Sequence, residues 1–222
     1  PAGYLLQGWI HYARAEIGQA VSSLREALSM APNDAQALGL LANCYLISGR
    51  VSIARPLIDR VLSVDPLTPL NRCMPGWADL LEGRLEAAVQ PYRDMLEMDP
   101  GNPMARLFFT WVLVMNGERS AARDVAAAFP ATASDTLPAQ IAHMLTAEDR
   151  IDTLPELSPE SQTAVTANDV FPRILATACA LAGDRRRATE WLSVAVDRGF
   201  INYPFPPVCA NTTLIQFVTK KM

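Results

Sequence analysis

Lysine is almost absent from this sequence. The chain of 222 residues has 19 basic and 23 acidic residues, its only lysines are Lys220 and Lys221, and its formal net charge is −4. Nucleic-acid binding needs clustered positive charge against phosphates. The one basic run, Arg185-Arg186-Arg187, is flanked by acidic residues and is typical of a solvated face, although it could also touch an acidic partner. We therefore expect no nucleic-acid partner.

Long apolar runs are missing as well. The longest, Leu107 to Met115, is far shorter than the roughly 20 residues that cross a bilayer, and no signal peptide is visible. The four cysteines are scattered without a C-x-x-C pair, which indicates reduced thiols, three of them buried, in a cytoplasmic protein. We expect no membrane segment and a cytoplasmic location.

The residue patterns of common catalytic and metal sites are also absent. The two histidines, His11 and His143, lie far apart, and no Cys/His cluster accompanies them. The sequence contains no phosphate-binding glycine loop and no G-x-S-x-G nucleophile turn. We expect no enzyme activity, no catalytic residue, no metal and no cofactor.

Small residues and prolines recur with a period of 34. An alanine lies twelve residues before each of three evenly spaced prolines: Ala20 and Pro32, Ala54 and Pro66, Ala88 and Pro100. A second set of mostly small residues has the same period: Gly8, Ala42, Gly76 and Thr110. This period predicts stacked helical hairpins. The small residues should lie where paired helices cross, because only small side chains let two helix backbones approach closely.

The second copy of the period carries the fullest motif: Leu38, Leu41-Ala42, Tyr45, Gly49, Ala54, Ile58, Val61 and Pro66. The motif resembles the tetratricopeptide repeat (TPR). This resemblance implies an all-α fold, a right-handed superhelix (α-solenoid) of helix–turn–helix hairpins. It also implies a protein–protein interaction scaffold or regulatory module.

We expect one solenoid domain over residues 1–222. Its repeats cover 1–34, 35–68, 69–102 and 103–130, an irregular hairpin at 131–168 loses the register, and a final repeat at 169–202 precedes a capping helix that extends to 222. Within the irregular hairpin the sequence predicts one helix over 137–147. A second should start at Pro159, capped by Ser158, and end near Ala167.

The stretch 182–205 resembles the last repeat of bacterial TPR arrays. Such arrays are often fused to signalling modules such as serine/threonine kinases, nucleotide cyclases or winged-helix regulators. The sequence begins at Pro1, already in phase with the repeat. We therefore expect a piece of a longer bacterial signalling protein.

Tryptophan recurs at the ninth position of the period, interrupted once by Asn43. In the TPR family this position faces the concave groove, so the resemblance predicts an apolar binding groove. In the family, positions two and five of each repeat face the groove too, and here they are Ala2, Gln36, Leu70, Met104 and Val170, and Leu5, Gly39, Cys73, Leu107 and Arg173. The main groove candidates are Trp9, Tyr12, Asn43, Leu46, Trp77, Leu80, Trp111, Met115 and Arg173. Asn43 would pair with a main-chain amide of the ligand.

Several interpretations of the groove stay open. It could bind a peptide or partner helix, or hold a small apolar molecule as a sensor domain, and the protein could instead self-associate. The tryptophans could also be core, or residues 130–168 could fill the groove. In a mixed case, Trp77 and Trp111 are partly covered and Trp9 is open. Arg173 could meet an acidic end of a ligand or pair with Asp169 at the surface.

Overall fold

The structure is a computed structural model that describes residues 1–147, 156–167 and 170–199. These residues form twelve α-helices, one short 3₁₀ turn and no strand. The helices are α1 Ala2–Ala13, α2 Ile17–Met30, α3 Ala35–Ile47, α4 Val51–Val64, α5 Pro69–Leu81, α6 Leu85–Met98, α7 Pro103–Met115, α8 Arg119–Ala127, α9 Leu137–Thr146, α10 Pro159–Thr166, α11 Phe171–Leu181 and α12 Arg185–Asp197. The all-α prediction is confirmed. None of these helices combines the length and apolar character needed to span a membrane.

Local sequence explains where the helices start and stop. The Asp34 side chain accepts a hydrogen bond from the backbone N–H of Ala37 at the start of α3, and Asn102 does the same at the start of α7. Helices α2, α4 and α6 each end two residues before one of the evenly spaced prolines. Within the hairpins, the turn residues Gly49, Gly83, Gly117 and Gly183 adopt positive φ, which glycine reaches without steric cost.

Small residues do lie where the paired helices cross. A Cβ on Gly8 would stand 2.7 Å from Leu24 Cδ2, and a Cβ on Gly76 would stand 2.8 Å from the carbonyl oxygen of Ala88. Ala20 and Ala54 are fully buried at the matching positions of α2 and α4. The prediction of close backbone approach is therefore confirmed, and side-chain volume sets the distance between paired helices.

The chain divides into two compact units. The first comprises Pro1–Met98 with Asp197–Pro204, and the second comprises Asp99–Val196 with Phe205–Met222. In the first, α1 packs on α2, α3 on α4 and α5 on α6, and α3 contacts both α1 and α5. In the second, α7 packs on α8, and α9 packs against both α7 and α11. The expected single solenoid over 1–222 stays a prediction, and the expected capping helix lies outside the described residues.

The period continues further than the sequence predicts. Helix α9 begins at Leu137, one 34-residue period after the start of α7 at Pro103, and α11 begins one period later again at Phe171. The predicted loss of register from residue 131 is therefore wrong for α9. The two predicted helices of this hairpin do form, and Ser158 caps α10 by accepting from Ser161 N at 3.2 Å.

The irregularity lies in the second helix of this hairpin. Residues 156–158 are not helical, and α10 starts only at Pro159. At the crossing positions, where other hairpins have mostly small residues, this hairpin has Met144 and Glu156. Two large side chains at these positions are incompatible with the close approach of paired helices seen in the other hairpins.

Candidate functional site

Several open residues of the predicted groove wall lie on α1 and α3, in the first unit. Trp9 is 47% exposed, while Tyr12, Gly39 and Asn43 are half-buried. Tyr12 lies one turn after Trp9 on α1, and Asn43 lies one turn after Gly39 on α3. We call the surface formed by Trp9, Tyr12, Gly39 and Asn43 the α1–α3 face.

A hydrogen bond and an aromatic contact organise this face. Asn43 Nδ2 donates to the Tyr12 hydroxyl at 2.7 Å, and the Trp9 ring meets the Tyr12 ring edge-on at a centroid distance of 6.2 Å. Edge-on aromatic pairs at this distance are attractive. The three side chains are thus positioned relative to one another before any ligand arrives.

The side-chain amide of Asn43 retains hydrogen-bonding groups that could serve a ligand. Tyr12 takes one of the two Nδ2 hydrogens, and an asparagine amide has a second N–H and an acceptor oxygen. Within the described residues the Asn43 side chain makes no other hydrogen bond. A remaining donor beside an acceptor matches the C=O and N–H of a peptide main chain, and such pairing with a ligand stays a prediction.

Three of the other groove candidates in the first unit are core residues. Trp77 is 8% exposed, and Leu46 and Leu80 are fully buried. The prediction that these three side chains line an open wall is wrong, because neighbouring helices cover them. The contrast between Trp9 and Trp77 agrees with the mixed case, in which only the first tryptophan of the series is open.

The candidates in the second unit are buried too. Trp111 is 3% exposed, and its Nε1 donates to Thr177 Oγ1 on α11 at 3.4 Å. Met115 and Arg173 are also buried, so the prediction that they line a groove is wrong. The Arg173 alternative, a surface pair with Asp169, falls on a partner outside the described residues. In this unit the tryptophan is a core residue whose polar atom has a buried acceptor.

The sequence motifs give no indication of an ion-pair cluster at the α5–α6 turn. Arg55 Nη2 on α4 lies 2.7 Å from Asp79 Oδ1 and 2.5 Å from Glu82 Oε2, and Arg84 bonds both carboxylates. The hydrogen bond from Arg55 holds the pKa of Glu82 below its usual value. Both arginines satisfy the carboxylates, so the cluster ties α4 to the end of α5 and is no acid–base pair.

The buried thiols are poor nucleophiles. Burial raises the pKa of Cys73 to about 12 and the pKa of Cys179 to about 12, so neither forms a thiolate near neutral pH. The predicted burial of three cysteines is confirmed by Cys44, Cys73 and Cys179. In the part of the chain that the structure describes, no three metal-ligating side chains cluster. His11 is half-buried and bonds Glu16 at 2.6 Å, which is a structural contact.

A second concavity lies in the second unit, between α9, α10, α11 and α12. It is a cleft of about 310 Å³ lined by Met144, Glu156, Leu157, Gln162, Cys179, Arg186, Arg187, Glu190, Trp191 and Val194. Both arginines of the lining are paired, since Arg186 bonds Glu190 at 2.8 Å and Arg187 bonds Asp184, whereas Glu156 has no ion-pair partner among the described residues. Glu156, which takes the place of the small crossing residue of other hairpins, is one of the residues that line this cleft. The motifs in the sequence gave no sign of it.

Comparison with known proteins identifies a family whose repeats match this sequence. A model of the tetratricopeptide repeat matches residues 11–70 and 79–148, and no curated protein matches the chain. An O-GlcNAc transferase mutant of Thermobaculum terrenum is 19% identical with a TM-score of 0.53, over 56% of this chain and 24% of that chain. The chain thus spans about a quarter of the transferase, and this likeness shows the fold alone.

Two further solved structures are similar over most of their length. MamA is 14% identical with a TM-score of 0.46, over 89% of this chain and 90% of that chain. YrrB, described as a TPR protein with an unusual peptide-binding site, is 15% identical with a TM-score of 0.46, over 99% of this chain and 91% of that chain.

Proposed function

This chain belongs to the tetratricopeptide repeat family, and we propose that it binds a peptide segment of a partner protein on the α1–α3 face. The repeats support a protein-interaction scaffold in general. The finer proposal is carried by one observation: Trp9 is 47% exposed beside a preformed Tyr12–Asn43 hydrogen bond. Exposed aromatic residues are the side chains that most often anchor protein contacts.

The face combines what a peptide site needs. Trp9 supplies apolar area, and Asn43 supplies a donor and an acceptor for a main chain. Because Tyr12 already restrains both, little side-chain freedom is lost on binding. The buried candidates Trp77 and Trp111 do not contact the ligand in this proposal. Trp77 belongs to the core of the first unit and Trp111 to the core of the second.

The proposal is tested with peptides selected from a randomised phage-displayed library on the full chain. We expect Trp9→Ala and Asn43→Leu to weaken the selected peptides by about tenfold or more. Ile53→Ala is the matched control, because Ile53 is an apolar residue on α4 that is 46% exposed and belongs to neither α1 nor α3. Lack of any enriched peptide, or equal binding by all three variants, would overturn the proposal.

The alternative of a sensor domain that holds a small molecule would use the cleft in the second unit, whose lining combines apolar side chains with four charged ones. A volume of about 310 Å³ is at the lower end of the range for small-molecule sites, roughly 300–1,000 Å³. Mass spectrometry of an organic extract of the purified protein tests this candidate. A stoichiometric small molecule supports it if Val194→Trp, which fills the cleft, abolishes its recovery. A clean extract from freshly purified protein counts against it.

The wider setting follows from the resemblance to bacterial signalling proteins. We propose that the chain works in the cytoplasm as part of a longer protein with a signalling domain upstream, and that it binds rather than catalyses. Light scattering tests self-association, the third use of the solenoid. A monodisperse monomer across the working concentration range would remove that third use.

A further inference from the structure

One side of α1 carries apolar side chains that lie open to solvent. Leu6 is 62% exposed and Ile10 is 41% exposed, and a Cβ on Gly3 would meet no atom of the described residues within 4 Å. Gly3, Leu6 and Ile10 are spaced three and four residues apart, so they form one stripe along the helix. We call these three residues the α1 stripe. It shares no residue with the α1–α3 face.

The same positions of the repeat are buried in the next two first helices. One period after Leu6 and Ile10, Leu40 and Cys44 are buried on α3, and two periods after them Met74 and Ala78 are buried on α5. Helix α2 packs against α3, and α4 packs against α5. These positions therefore form a packing surface of the repeat, and in α1 that surface lacks a cover among the described residues.

The last described residue lies at one end of α1. Gly199 belongs to the first unit, and a Cβ on it would stand 3.0 Å from Ile17 Cγ1 and 3.7 Å from Ala15 Cβ. Ala15 lies in the turn that follows the last residue of α1, and Ile17 begins α2. Glycine lets the main chain approach this turn closely. The chain therefore continues from a point beside the carboxyl end of α1, which is the Ile10 end of the stripe.

The five residues that come next have the composition and length to cover the stripe. Residues 200–204 have the sequence Phe-Ile-Asn-Tyr-Pro and group with the first unit. A residue before proline favours extended backbone, and alternate residues of an extended segment point to the same side. Ile201 and Tyr203 would then lie on one side, about 6.6 Å apart at roughly 3.3 Å per residue. Leu6 and Ile10 are about 6 Å apart along the α1 axis, so the two apolar pairs match in spacing.

We propose that residues 200–204 run back along α1 and cover the α1 stripe, with Ile201 over Ile10 and Tyr203 over Leu6. This order follows from the start at Gly199, because Ile10 is closer than Leu6 to the carboxyl end of α1. The segment gives α1 the kind of apolar cover that α2 gives α3. The inference is independent of the proposed peptide site, since neither pair includes a residue of the α1–α3 face.

Disulfide trapping in the full chain tests the contact. Ile10→Cys and Ile201→Cys are combined in a Cys209→Ser background, and the three buried cysteines react slowly because burial disfavours the thiolate. Ile53→Cys with Ile201→Cys is the matched control, because Ile53 is 46% exposed on α4. We expect the Ile10 pair to form an intrachain disulfide about tenfold faster or more, because docking raises the local thiol concentration. Equal rates for the two pairs would refute the contact. A disulfide formed only between two chains would also refute it and would assign the cover to a second copy.

Hydrogen exchange gives a second measurement without new cysteines. Ile201→Ser with Tyr203→Ser should speed exchange of the α1 amides by about tenfold, because an uncovered terminal helix opens more often. Leu214→Ser with Ile215→Ser is the control, since both changes lie beyond residue 204, and it should leave α1 unchanged. Unchanged α1 exchange in the first variant, or equal acceleration in both, would overturn the proposal.

Discussion

Gly76 and the Ala88 carbonyl oxygen are so close that an added Cβ would stand only 2.8 Å from that oxygen. The contact joins α5 to α6 at the centre of one hairpin. The matching contact at Gly8 is made by the side chain of the buried Leu24, whose Cγ and Cδ2 would both lie 2.7 Å from the added Cβ. A side chain can shift further than a backbone carbonyl held within a helix.

We therefore expect Gly76→Ala to destabilise the protein by about 1–3 kcal/mol, the usual cost of overpacking. Gly8→Ala should cost less, because Leu24 can change rotamer. Urea unfolding followed by circular dichroism measures both free energies. Equal values for the two variants would contradict this account of the crossing.

Ala15 occupies the turn position that glycine holds in the next three hairpins, and it adopts a φ of 60°. A left-handed backbone is unfavourable for alanine but not for glycine. We expect Ala15→Gly to stabilise the protein by about 0.5–1 kcal/mol, net of the extra freedom that glycine has when unfolded. The reverse change at Gly49, which has a φ of 71°, should destabilise it. A lower Tm for Ala15→Gly would contradict the prediction.

The bond between Asn43 and Tyr12 joins α3 to α1, and its energy can be measured directly. A double-mutant cycle with Tyr12→Phe and Asn43→Leu should give a coupling energy of about 0.5–1.5 kcal/mol. Chemical unfolding of the four proteins provides the values. Additive effects, with no coupling, would show that the two side chains do not stabilise each other in solution.

The Arg55–Glu82 bond makes stability depend on pH. Because the pKa of Glu82 is lowered in the folded protein, its contribution is present above the pKa of the unfolded chain and is lost as pH falls through the folded value. Wild-type stability should decrease between about pH 5 and pH 3. Glu82→Gln should reduce that decrease by less than about 1 kcal/mol, since the pair is near the surface. Glu86→Gln, an exposed change on α6, is the control.

Tryptophan exposure can be checked in the ligand-free protein. Trp9 is open, whereas Trp77 and Trp111 are buried. Iodide should therefore quench a clear fraction of the fluorescence, and Trp9→Phe should remove the larger part of that fraction, the half-buried Trp191 accounting for the rest. Trp77→Phe should leave it nearly unchanged. Uniform shielding in the wild type would contradict an open α1–α3 face.

The helices could be predicted because each depends on nearby residues. Asp34 caps α3 across three residues, and Pro66 follows the end of α4 by two. The site could be predicted only in part, because burial depends on what packs behind a position. Trp9 and Trp111 share one place in the period, yet Trp111 meets Thr177, which is 66 residues away. No local pattern contains that contact.

In the hairpin with Met144 and Glu156, the observed helices also differ from what the sequence period predicts. The sequence already shows that small residues are missing at these two positions. The prediction, however, treated all of residues 131–168 as irregular. The starting positions of α9 and α11 keep the 34-residue spacing. The turn glycine does not, because Gly183 follows Gly117 by 66 residues, two fewer than two full periods.

Helix α9 contacts both α7 and α11, while its own second helix is short and begins late. Within the second unit, the row of first helices (α7, α9 and α11) is therefore continuous. The row of second helices (α8, α10 and α12) is interrupted at α10. The two rows are under different constraints. Insertions or deletions should accumulate in the second-helix row of related chains, and the spacing along the first-helix row should stay constant.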